Sequence, residues 1–537
     1  MRITAELTCL NGTETVPLQE DAYYRKPHDQ DSDDTHHSKP HDPNSGESPS
    51  TTLPTASQSD DAGHVPIQKG ADKDHGKGAG SETSSGSDKG STTTSSKVPL
   101  ASSSHPGANQ TLVETARKFI PAILDPKDNT SVPRLWCPTE IDTLRYGYLR
   151  ASASEKKVRY FFAINLRQVV HLMPRLMGSV LQVMKFLGPT HCALSIVEGN
   201  SDDGTYEVLQ LLKEELDRIG VRYYLTRSKL NPSRGDRIEK LALLRATALA
   251  PITGPIGFDR AVFKNSEDPS ELDLDEPEPS RGSGSVAKSS KDRPELVMTQ
   301  PAVLDKVQLI DDATVIFLND VAACAEDILE LIHQRDFQEA DMTCAMDWHH
   351  TGDLELFYDV WISRAANGDL FFDIPANGSW DHAKHLFFNE PVGKARFQAH
   401  RPLQVFACWN GATAFSAKPI VSGKVNFRPV LPNECFQGEP QLFCKDMWWA
   451  GYGKIAVVPS INLEYTDELG ARTKKSKGYV RDWVAKELQD DKAPPLKIDW
   501  KGPPPKVKCM PTFDQQTWKP WNETLVDMKP TSKSTHA

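Results

Sequence analysis

The chain has 537 residues, enough for more than one domain, but its polar residues are distributed very unevenly. Its formal net charge is −11, and no stripe of lysine and arginine interleaved with aromatic residues occurs, which argues against nucleic acid as the main ligand. No window contains the roughly eighteen apolar residues of a membrane-spanning helix. Residues 1–16 lack the basic and apolar regions of a signal peptide, so the sequence as it stands predicts a soluble protein.

Two segments are too polar to bury a hydrophobic core. The stretch from Pro27 to Ala108 consists mainly of Ser, Thr, Asp, Gly, His and Lys, which predicts a disordered tail or stalk over residues 1–130. An acidic run and then a Ser-rich and Gly-rich run at about 264–300 predict a disordered surface insertion. We therefore expect one folded domain over residues 131–530, interrupted by this insertion.

Glycosylation sequons and cysteines point towards the secretory pathway. The N-x-[ST] sequons begin at Asn11, Asn109, Asn129, Asn377 and Asn522. The nine cysteines leave one unpaired if the others form disulfides, and Cys435 and Cys444 are close enough in sequence for a local bridge, although spacing does not establish one. No C-x-x-C motif occurs, which argues against a structural zinc site.

The predicted elements alternate between strands and helices along the chain. A buried strand, HCALSIVEG, is followed by a helix with apolar side chains at helical spacing and by a strand, VRYYLT. Helix formers in RIEKLALLRATALAP then precede a second buried strand, ATVIFLND, and the helix AEDILELIHQRDF. Strand–helix–strand units require right-handed crossovers between parallel strands. The sequence therefore predicts an α/β fold with a Rossmann-like, mostly parallel sheet flanked by helices.

The segment SIVEGNSDDGT at 195–205 places carboxylates just beyond a buried strand. Glu198 and Asp203 could accept hydrogen bonds from a base or a ribose hydroxyl, and the glycines let the backbone turn beside a ligand. The alternative is an acidic helix N-terminus, with Asp202 or Asp203 capping the first turn. We predict donor binding by Glu198 and Asp203 and keep the capping alternative open.

The end of the ATVIFLND strand predicts a metal site. Asn319 and Asp320 close an apolar strand, where a charged group is unfavourable unless it serves a ligand or a metal. Transfer of a sugar from a nucleoside diphosphate requires neutralisation of charge on the leaving diphosphate, which Mg²⁺ or Mn²⁺ provides. Asp320, with Asn319, is the predicted metal ligand, and a helix cap is the alternative. The DLD at 273–275 lies in the predicted insertion and is discounted.

The segment 343–371 is dense in aromatic and charged residues. Arg364 could pair with phosphate oxygens and is predicted to bind the donor, although Asp359 and Arg364 could instead pair with each other. His349 and His350 are adjacent, so on a strand they point to opposite faces and do not easily bind one ion together. The aromatic residues here are predicted to lie mainly in the core.

Two further motifs supply donor and catalytic candidates. In CWNGATAF, Asn410 and Gly411 follow a strand-like segment, which suits close approach of the backbone to the donor, with a β-bulge as the alternative. In ECFQGEPQLFCKDMW, Glu439 and Asp446 could orient acceptor hydroxyls or stabilise an oxocarbenium-like centre. Asp446 could equally belong to a helix that packs on the sheet. Glu439 and Asp446 are the predicted catalytic residues.

Several long segments resemble, in the same order, the fungal capsule-associated α-1,3-mannosyltransferases of glycosyltransferase family 69. The resemblance covers about Trp136 to Tyr465, with a weaker match near the C-terminus. It is carried by SIVEGNSDDGT, RIEKLALLRATAL, VIFLNDVAACAEDILELI, AMDWHH, FYDVWISR, CWNGATAF, NFRPVLPNECFQGEP and DMWWAGYGKIAVVPSINLEY.

This resemblance implies a GT-A-like fold, GDP-mannose as donor, Mn²⁺ or Mg²⁺ as cofactor, and transfer to a mannose-containing glycan acceptor with retention of the α anomer. It also implies a role in cell-surface or capsule polysaccharide synthesis and a location in the Golgi. Members of the family usually have an N-terminal membrane anchor, which is not visible in this chain. Related retaining enzymes often use a late histidine as a third metal ligand, whereas the comparable strand here is VVPSINLEY. A rival function is a non-catalytic polysaccharide assembly or export factor that retains the fold.

Overall fold

The computed structural model describes residues 110–526, apart from 129–131, 153, 234, 255–305, 488 and 490. The predicted insertion at 264–300 and residues 1–109 of the predicted tail lie outside the described residues, as do the sequons at Asn11, Asn109 and Asn129.

Helices and strands alternate through the first half of the described chain, as the sequence predicts. The helices are α1 (Gln110–Arg117), α2 (Ile120–Leu124), α3 (Thr143–Tyr146), α4 (Met173–Leu187), α5 (Thr205–Ile219), α6 (Arg237–Thr253), α7 (Ala325–Phe337), α8 (Pro391–Gln398), α9 (Lys418–Val421), α10 (Glu439–Trp449), α11 (Asp467–Lys477) and α12 (Val480–Val484). The strands are β1 (Val158–Leu166), β2 (Cys192–Glu198), β3 (Arg222–Arg227), β4 (Leu309–Leu318), β5 (Met342–Thr351), β6 (Leu354–Phe357), β7 (Arg364–Ala365), β8 (Leu403–Ala407), β9 (Ala412–Ser416), β10 (Ile455–Leu463), β11 (Lys506–Cys509) and β12 (Thr517–Pro520).

One large sheet organises the domain, with strand order β3-β2-β1-β4-β9-β5-β10-β8-β7 and β6 paired to β5. Strands β3, β2, β1 and β4 pair in parallel, and β5 pairs in parallel with β10. Strand β9 lies antiparallel between β4 and β5, so these two neighbours still point the same way. Because most strands share one direction, their carboxyl ends meet at one edge, and the predicted α/β class with a mostly parallel sheet is confirmed.

Both faces of the sheet are covered, which explains why its central strands are apolar along their whole length. Alternate side chains of β1 point to opposite faces: Phe162 packs with residues of α4, α5 and α7, whereas Phe161 packs with residues of α6 and α10. Every residue of β2 is buried. The helices hold the sheet rigidly, so residues at its carboxyl edge are fixed relative to one another.

The domain begins earlier than the boundary that we predicted at residue 130. Helices α1 and α2 lie within the predicted tail, yet Ala116 and Ile123 are buried in the same apolar cluster as α4 and α5. Apolar side chains at helical spacing in α1 and α2 make this contact. The predicted boundary was too late because it was based on the polar composition of the preceding residues. Within the described part of the chain, no helix has the length and apolar character needed to cross a membrane.

Three disulfides link distant parts of the described chain: Cys137–Cys324, Cys344–Cys408 and Cys435–Cys509. Cys435 therefore pairs with a residue near the C-terminus rather than with Cys444, which is buried and unpaired. A local bridge between Cys435 and Cys444 is thus wrong, because helix α10 turns Cys444 into the core towards the carbonyl oxygen of Cys408.

Candidate active site at the carboxyl edge of the sheet

The predicted site segments converge at the carboxyl edge of the sheet. Leu318, the last residue of β4, pairs with Ala412, the first residue of β9, so the Asn319–Asp320 and Asn410–Gly411 segments meet. Leu463, the last residue of β10, pairs with Asp347 of β5. The tertiary structure therefore brings together segments that are far apart in the sequence, as expected for ligand binding at strand ends.

Asp320 and Asn319 behave differently although they are neighbours. The Asn319 side-chain oxygen accepts hydrogen bonds from Trp409 Nε1 at 3.1 Å and from Arg245 at 3.5 Å. Within the described residues, no hydrogen bond or ion pair to another residue occupies the carboxylate of Asp320. Burial raises the pKa of Asp320, and this is opposed first by a hydrogen bond from its own backbone N–H and then by the nearby His171 and Arg245. Asp320 is therefore a half-buried carboxylate that is free to bind a ligand, whereas Asn319 is already engaged.

Asp347 and Asp359 form a pair of closely placed carboxylates beside this turn. Tyr465 donates its hydroxyl to Asp347 Oδ2 at 2.6 Å, and Asp347 Oδ1 is buried without a hydrogen-bond partner. The backbone N–H of Asn410 donates to Asp359 Oδ2 at 2.9 Å. Burial and the neighbouring Asp359 raise the pKa of Asp347 well above its usual value, and burial raises the pKa of Asp359 to about 6. The pair favours holding a proton near neutral pH.

Asp347 and Asp359 were not among the residues predicted from the sequence to form the site. Asp347 follows a run of apolar residues in AMDW, which is the same signal that drew attention to Asp320. Asp359 gave no such signal, because only the turn at Asn410 places it at the site.

Glu439 occupies the first turn of α10 and is almost fully buried. Arg245 of α6 donates from Nε to Glu439 Oε1 at 2.8 Å, and its guanidinium lies 4.5 Å from the centre of the Trp409 ring. Arg245 lies in RIEKLALLRATAL, where its helical context hid any functional role. The arrangement fixes the orientation of the Glu439 carboxylate and places a cation beside it.

The turn at Asn410 and Gly411 shapes the centre of the site. Asn410 has a left-handed backbone with φ of 54°, and its side chain accepts from the Ser363 hydroxyl at 2.7 Å and donates to the Ala345 carbonyl at 2.8 Å. Gly411 has φ of 78°, and a Cβ there would lie 3.0 Å from Val321. The Asn410 side chain is therefore used to build the turn, and Gly411 is required by backbone conformation and close packing.

Glu198 and Asp203 lie at the neighbouring strand ends. Glu198 Oε1 accepts from the Ser201 N–H at 2.6 Å, while its Oε2 lies 3.5 Å from Arg227 and has no hydrogen-bond partner. Gly204 is the N-cap residue of α5, and Asp203 just before it accepts from the N–H groups of Thr205 and Val170, so it holds the start of α5 and ties two loops together. Glu198 ends β2 and Leu318 ends β4, and because these strands lie on either side of β1, their ends are two strand spacings, about 10 Å, apart across the sheet.

Arg364 and Asp446 are not brought to this edge. Arg364 is fully buried and donates to the backbone carbonyls of Lys508, Ser363 and Val360, rather than pairing with Asp359. Asp446 lies two turns along α10 from Glu439, about 10 Å away, where Arg428 donates to both of its oxygens at 2.6 and 2.8 Å. These contacts give both side chains structural roles, which spacing in the sequence does not reveal.

The residues present fit a metal only as part of a ligand-bound site. Within the described ranges, no group of three or more His, Cys, Asp or Glu side chains is arranged to hold a metal ion. His349 contacts Thr351 at 2.9 Å and His350 contacts Glu464 at 3.4 Å, so the adjacent histidines have separate partners. Mg²⁺ in nucleotide sites commonly takes one or two carboxylates and completes its shell with phosphates and water. The uncommitted carboxylate of Asp320 fits this kind of coordination.

Comparison with known proteins finds a matching family model and a related fungal enzyme. A family model described as Cryptococcal mannosyltransferase 1 matches residues 159–274 and 290–446. The Alpha-1,3-mannosyltransferase CMT1 of Cryptococcus neoformans var. neoformans serotype D is 33% identical over 414 residues, covering 72% of this chain and 76% of that protein.

Two solved structures align with much lower similarity. The mannosyltransferase PcManGT from Pyrobaculum calidifontis, solved with GDP-Man and Mn²⁺, aligns over 72% of this chain and 78% of its own, with 10% identity and a TM-score of 0.29. S. aureus TarS 1–349 aligns over 57% of this chain and 60% of its own, less than two thirds of its length, with 11% identity and a TM-score of 0.27. Similarity at this level bears on neither ligand nor metal.

Proposed function

The chain belongs to the family described as Cryptococcal mannosyltransferase 1, and from this membership we propose that it transfers mannose from GDP-mannose to a mannose-containing glycan with retention, in cell-surface or capsule polysaccharide synthesis. The main observation behind the proposal is Asp320. Its carboxylate is half-buried at the sheet edge, uncommitted to other described residues, and adjacent to the turn at Gly411. A carboxylate kept in such a position is suited to a ligand rather than to stability.

The donor nucleotide is proposed to lie along the ends of β2, β1 and β4. β2 and β4 lie two strand spacings apart, about 10 Å, and Glu198 and Asp320 lie at or just beyond their carboxyl ends, which leaves room for a nucleoside at one end and a diphosphate at the other. Glu198 is assigned to the nucleoside end through Oε2, which pairs with Arg227 but accepts no hydrogen bond, and this assignment requires the Ser201 loop to adjust. Asp203 acts indirectly, because it holds that loop through Val170 and Thr205.

A divalent cation, Mn²⁺ or Mg²⁺, is proposed to bind between Asp320 and the donor diphosphate. Such an ion neutralises charge on the leaving diphosphate. Asp320 supplies the carboxylate ligand, whereas the Asn319 oxygen is held by Trp409 and Arg245 and orients the turn. Arg245 adds a fixed positive charge on the same side of the site.

Retention requires the acceptor to attack the face of the sugar from which the diphosphate leaves. A bond forms between the acceptor oxygen and the anomeric carbon, the bond from that carbon to the phosphate oxygen breaks, and the acceptor proton passes to the departing phosphate. Glu439 is proposed to orient the acceptor hydroxyl or to stabilise positive charge on the sugar, with Arg245 fixing its carboxylate. Asp347 and Asp359 line the adjoining wall.

A lumenal site of action, expected in the Golgi, is part of the proposal. The three disulfides of the described chain support an oxidising compartment, since such bonds rarely persist in the cytosol. The sequon at Asn377 lies on the surface, as a lumenal glycosylation acceptor would require.

The decisive experiment measures transfer of labelled mannose from GDP-mannose to a mannose disaccharide by the purified full chain, with and without Mn²⁺. We expect Asp320→Ala to lower the rate by about 100-fold or more while the circular dichroism spectrum stays unchanged. Asp217→Ala, on the exposed face of α5, is the matched control and should retain full activity. Transfer by Asp320→Ala at the wild-type rate would contradict the site. Inactivity of the wild type across a panel of sugar donors would favour the non-catalytic assembly or export factor.

A further inference from the structure

Tyr358 presents an exposed aromatic ring at the rim of the candidate site. It follows directly after β6, and 39% of the residue is accessible to solvent. Its ring centre lies 5.0 Å from that of Tyr465 and 5.9 Å from that of His349, so two further rings pack against it at tilted angles. Within the described residues, its hydroxyl makes no hydrogen bond. The ring is therefore held in place but not covered.

The surroundings of Tyr358 connect this ring to the carboxylates of the site. Its backbone N–H donates to the Asp347 carbonyl oxygen at 3.1 Å. Burial of the hydroxyl end, followed by the negative charges of Asp347, Asp359 and Asp320, raises the pKa of Tyr358 to about 12. The hydroxyl thus lies within the electrostatic field of three acidic groups, while part of the ring remains open to solvent.

A sugar ring matches this combination of groups. Pyranoses carry hydroxyls on their rim and C–H groups on their faces, so an aromatic ring can contact the face while nearby carboxylates accept hydrogen bonds from the hydroxyls. The adjacent donor region is proposed above to extend from Asp320 towards β2, which leaves the Tyr358 side for the second substrate.

We propose that Tyr358 is the platform on which the acceptor mannose residue rests, with His349 and Tyr465 supporting the ring and Asp347 and Asp359 facing the acceptor hydroxyls. This inference depends on the proposed function, because it assigns the acceptor side of the same site. Tyr358 then determines affinity for the acceptor but not for the donor.

The test compares Tyr358→Ala, Tyr358→Phe and Trp518→Ala in the full chain. Trp518 is a matched control because it is similarly exposed, at 43%, but lies on β12, where its ring faces Lys508 rather than carboxylates. We expect Tyr358→Ala to raise KM for the mannose disaccharide by about 10-fold, while KM for GDP-mannose changes by less than about 2-fold. Tyr358→Phe keeps the ring and should stay within about 3-fold of wild type, and Trp518→Ala should match wild type.

Two results would overturn the inference. One is an unchanged acceptor KM in Tyr358→Ala, and the other is a rise in the donor KM that equals or exceeds the rise for the acceptor. Should Tyr358→Ala unfold, as judged by Tm, Tyr358→Leu retains apolar volume without the ring and carries the same expectations.

A binding measurement separates this inference from the proposed function. Ligand-observed NMR of the mannose disaccharide does not require turnover. Binding that is lost in Tyr358→Ala but present in wild type, together with no transfer from any donor, would reject the enzyme and keep the platform. Normal transfer with unchanged acceptor binding in Tyr358→Ala would reject the platform and keep the enzyme.

Discussion

Close packing of acidic side chains is the most unusual property of individual residues in this site. Asp347 is completely buried and keeps one oxygen without a hydrogen bond, while Asp359 is held by a backbone N–H of the neighbouring turn. Two carboxylates that are close together cannot both ionise easily, so burial and mutual repulsion favour their protonated forms. Buried carboxylates that lower the stability of the fold in this way are typical of ligand-binding sites.

This pair makes stability depend on pH. Because burial raises the pKa of Asp359 to about 6, the native state binds this proton more tightly than the unfolded chain does. The resulting stabilisation is complete below about pH 4, the ordinary Asp value, and is lost as pH rises through about 6. We expect Asp359→Asn to remove this loss. The unfolding free energy of the variant minus that of wild type should therefore be about 1–2 kcal/mol higher at pH 7.5 than at pH 4.

Urea unfolding of wild type and Asp359→Asn from pH 4 to 8 checks this expectation. Asp353→Asn, at a fully exposed hairpin position, serves as the control and should follow wild type. A constant difference in unfolding free energy between Asp359→Asn and wild type across this range would show that the Asp359 carboxylate is not perturbed.

At the scale of elements, helix α10 carries two predicted catalytic residues with different fates. Its first residue, Glu439, faces the site and is oriented by Arg245, whereas Asp446 lies two turns later in a buried network with Arg428 and Glu434. Lys445 of the same helix also binds Glu434, at 2.6 Å. One end of the helix therefore serves the site, and the other end anchors the helix to the loop at 428–434.

Substitutions at the two ends of α10 should separate activity from stability. Glu439→Gln is expected to lower the transfer rate by about 100-fold and to cost no more stability than Asp446→Asn, because the side chain keeps its size and can still accept from Arg245 although the ion pair is lost. Asp446→Asn is expected to lower the free energy of unfolding by about 3 kcal/mol, because it leaves the Arg428 guanidinium partly uncompensated. Thermal unfolding and transfer assays on both variants would decide, and the reverse pattern would exchange the two assignments.

The loop between β2 and α5 offers a second test at this scale. Asp203 accepts from the N–H groups of Val170 and Thr205, so Asp203→Ala should cost about 1–2 kcal/mol of unfolding free energy. Because this loop carries the proposed nucleoside end, KM for GDP-mannose should rise while KM for the acceptor stays constant. Asp202→Ala is the control, because the Asp202 side chain is exposed and accepts from Gln168 Nε2. Equal effects of both substitutions would argue against the anchoring role of Asp203.

At the scale of the whole molecule, disulfides connect distant segments around the sheet. Cys137–Cys324 joins the segment before β1 to the start of α7 across 187 residues, whereas Cys344–Cys408 spans 64. Cross-links over long separations restrict the unfolded chain most, although the gain grows only slowly with loop length. The disulfides therefore stabilise the same arrangement that the buried sheet specifies.

Removing the longest cross-link should destabilise the protein substantially. The double substitution Cys137→Ser and Cys324→Ser is expected to lower the free energy of unfolding by about 3–5 kcal/mol. Removing Cys344–Cys408 in the same way should cost about 1 kcal/mol less, apart from packing effects at these buried sites. Denaturant unfolding measures both values. If reductant leaves the unfolding free energy of wild type unchanged, the disulfides do not form in the protein.

The sequence by itself determined the alternation of strands and helices, the buried character of β2 and β4, and the family. Periodicity and composition are local properties, and each of these elements follows from residues that are close together in the chain. The position of Asp320 after an apolar strand was likewise predictable, because polar residues at strand ends are unfavourable without a purpose. Asn410 and Gly411 were predicted, for the same kind of local reason, to follow a strand where the backbone can approach a ligand closely.

Only the tertiary structure decided which acidic groups meet and which are neutralised. Asp347 and Asp359 converge because β9 lies between β4 and β5 and its leading turn binds Asp359. Arg428 forms an ion pair with Asp446, and Cys435 forms a disulfide with Cys509 rather than with Cys444. Ion pairs and disulfides depend on distances of a few ångströms between segments far apart in sequence, and those distances are fixed by the order of strands in the sheet rather than by any local pattern.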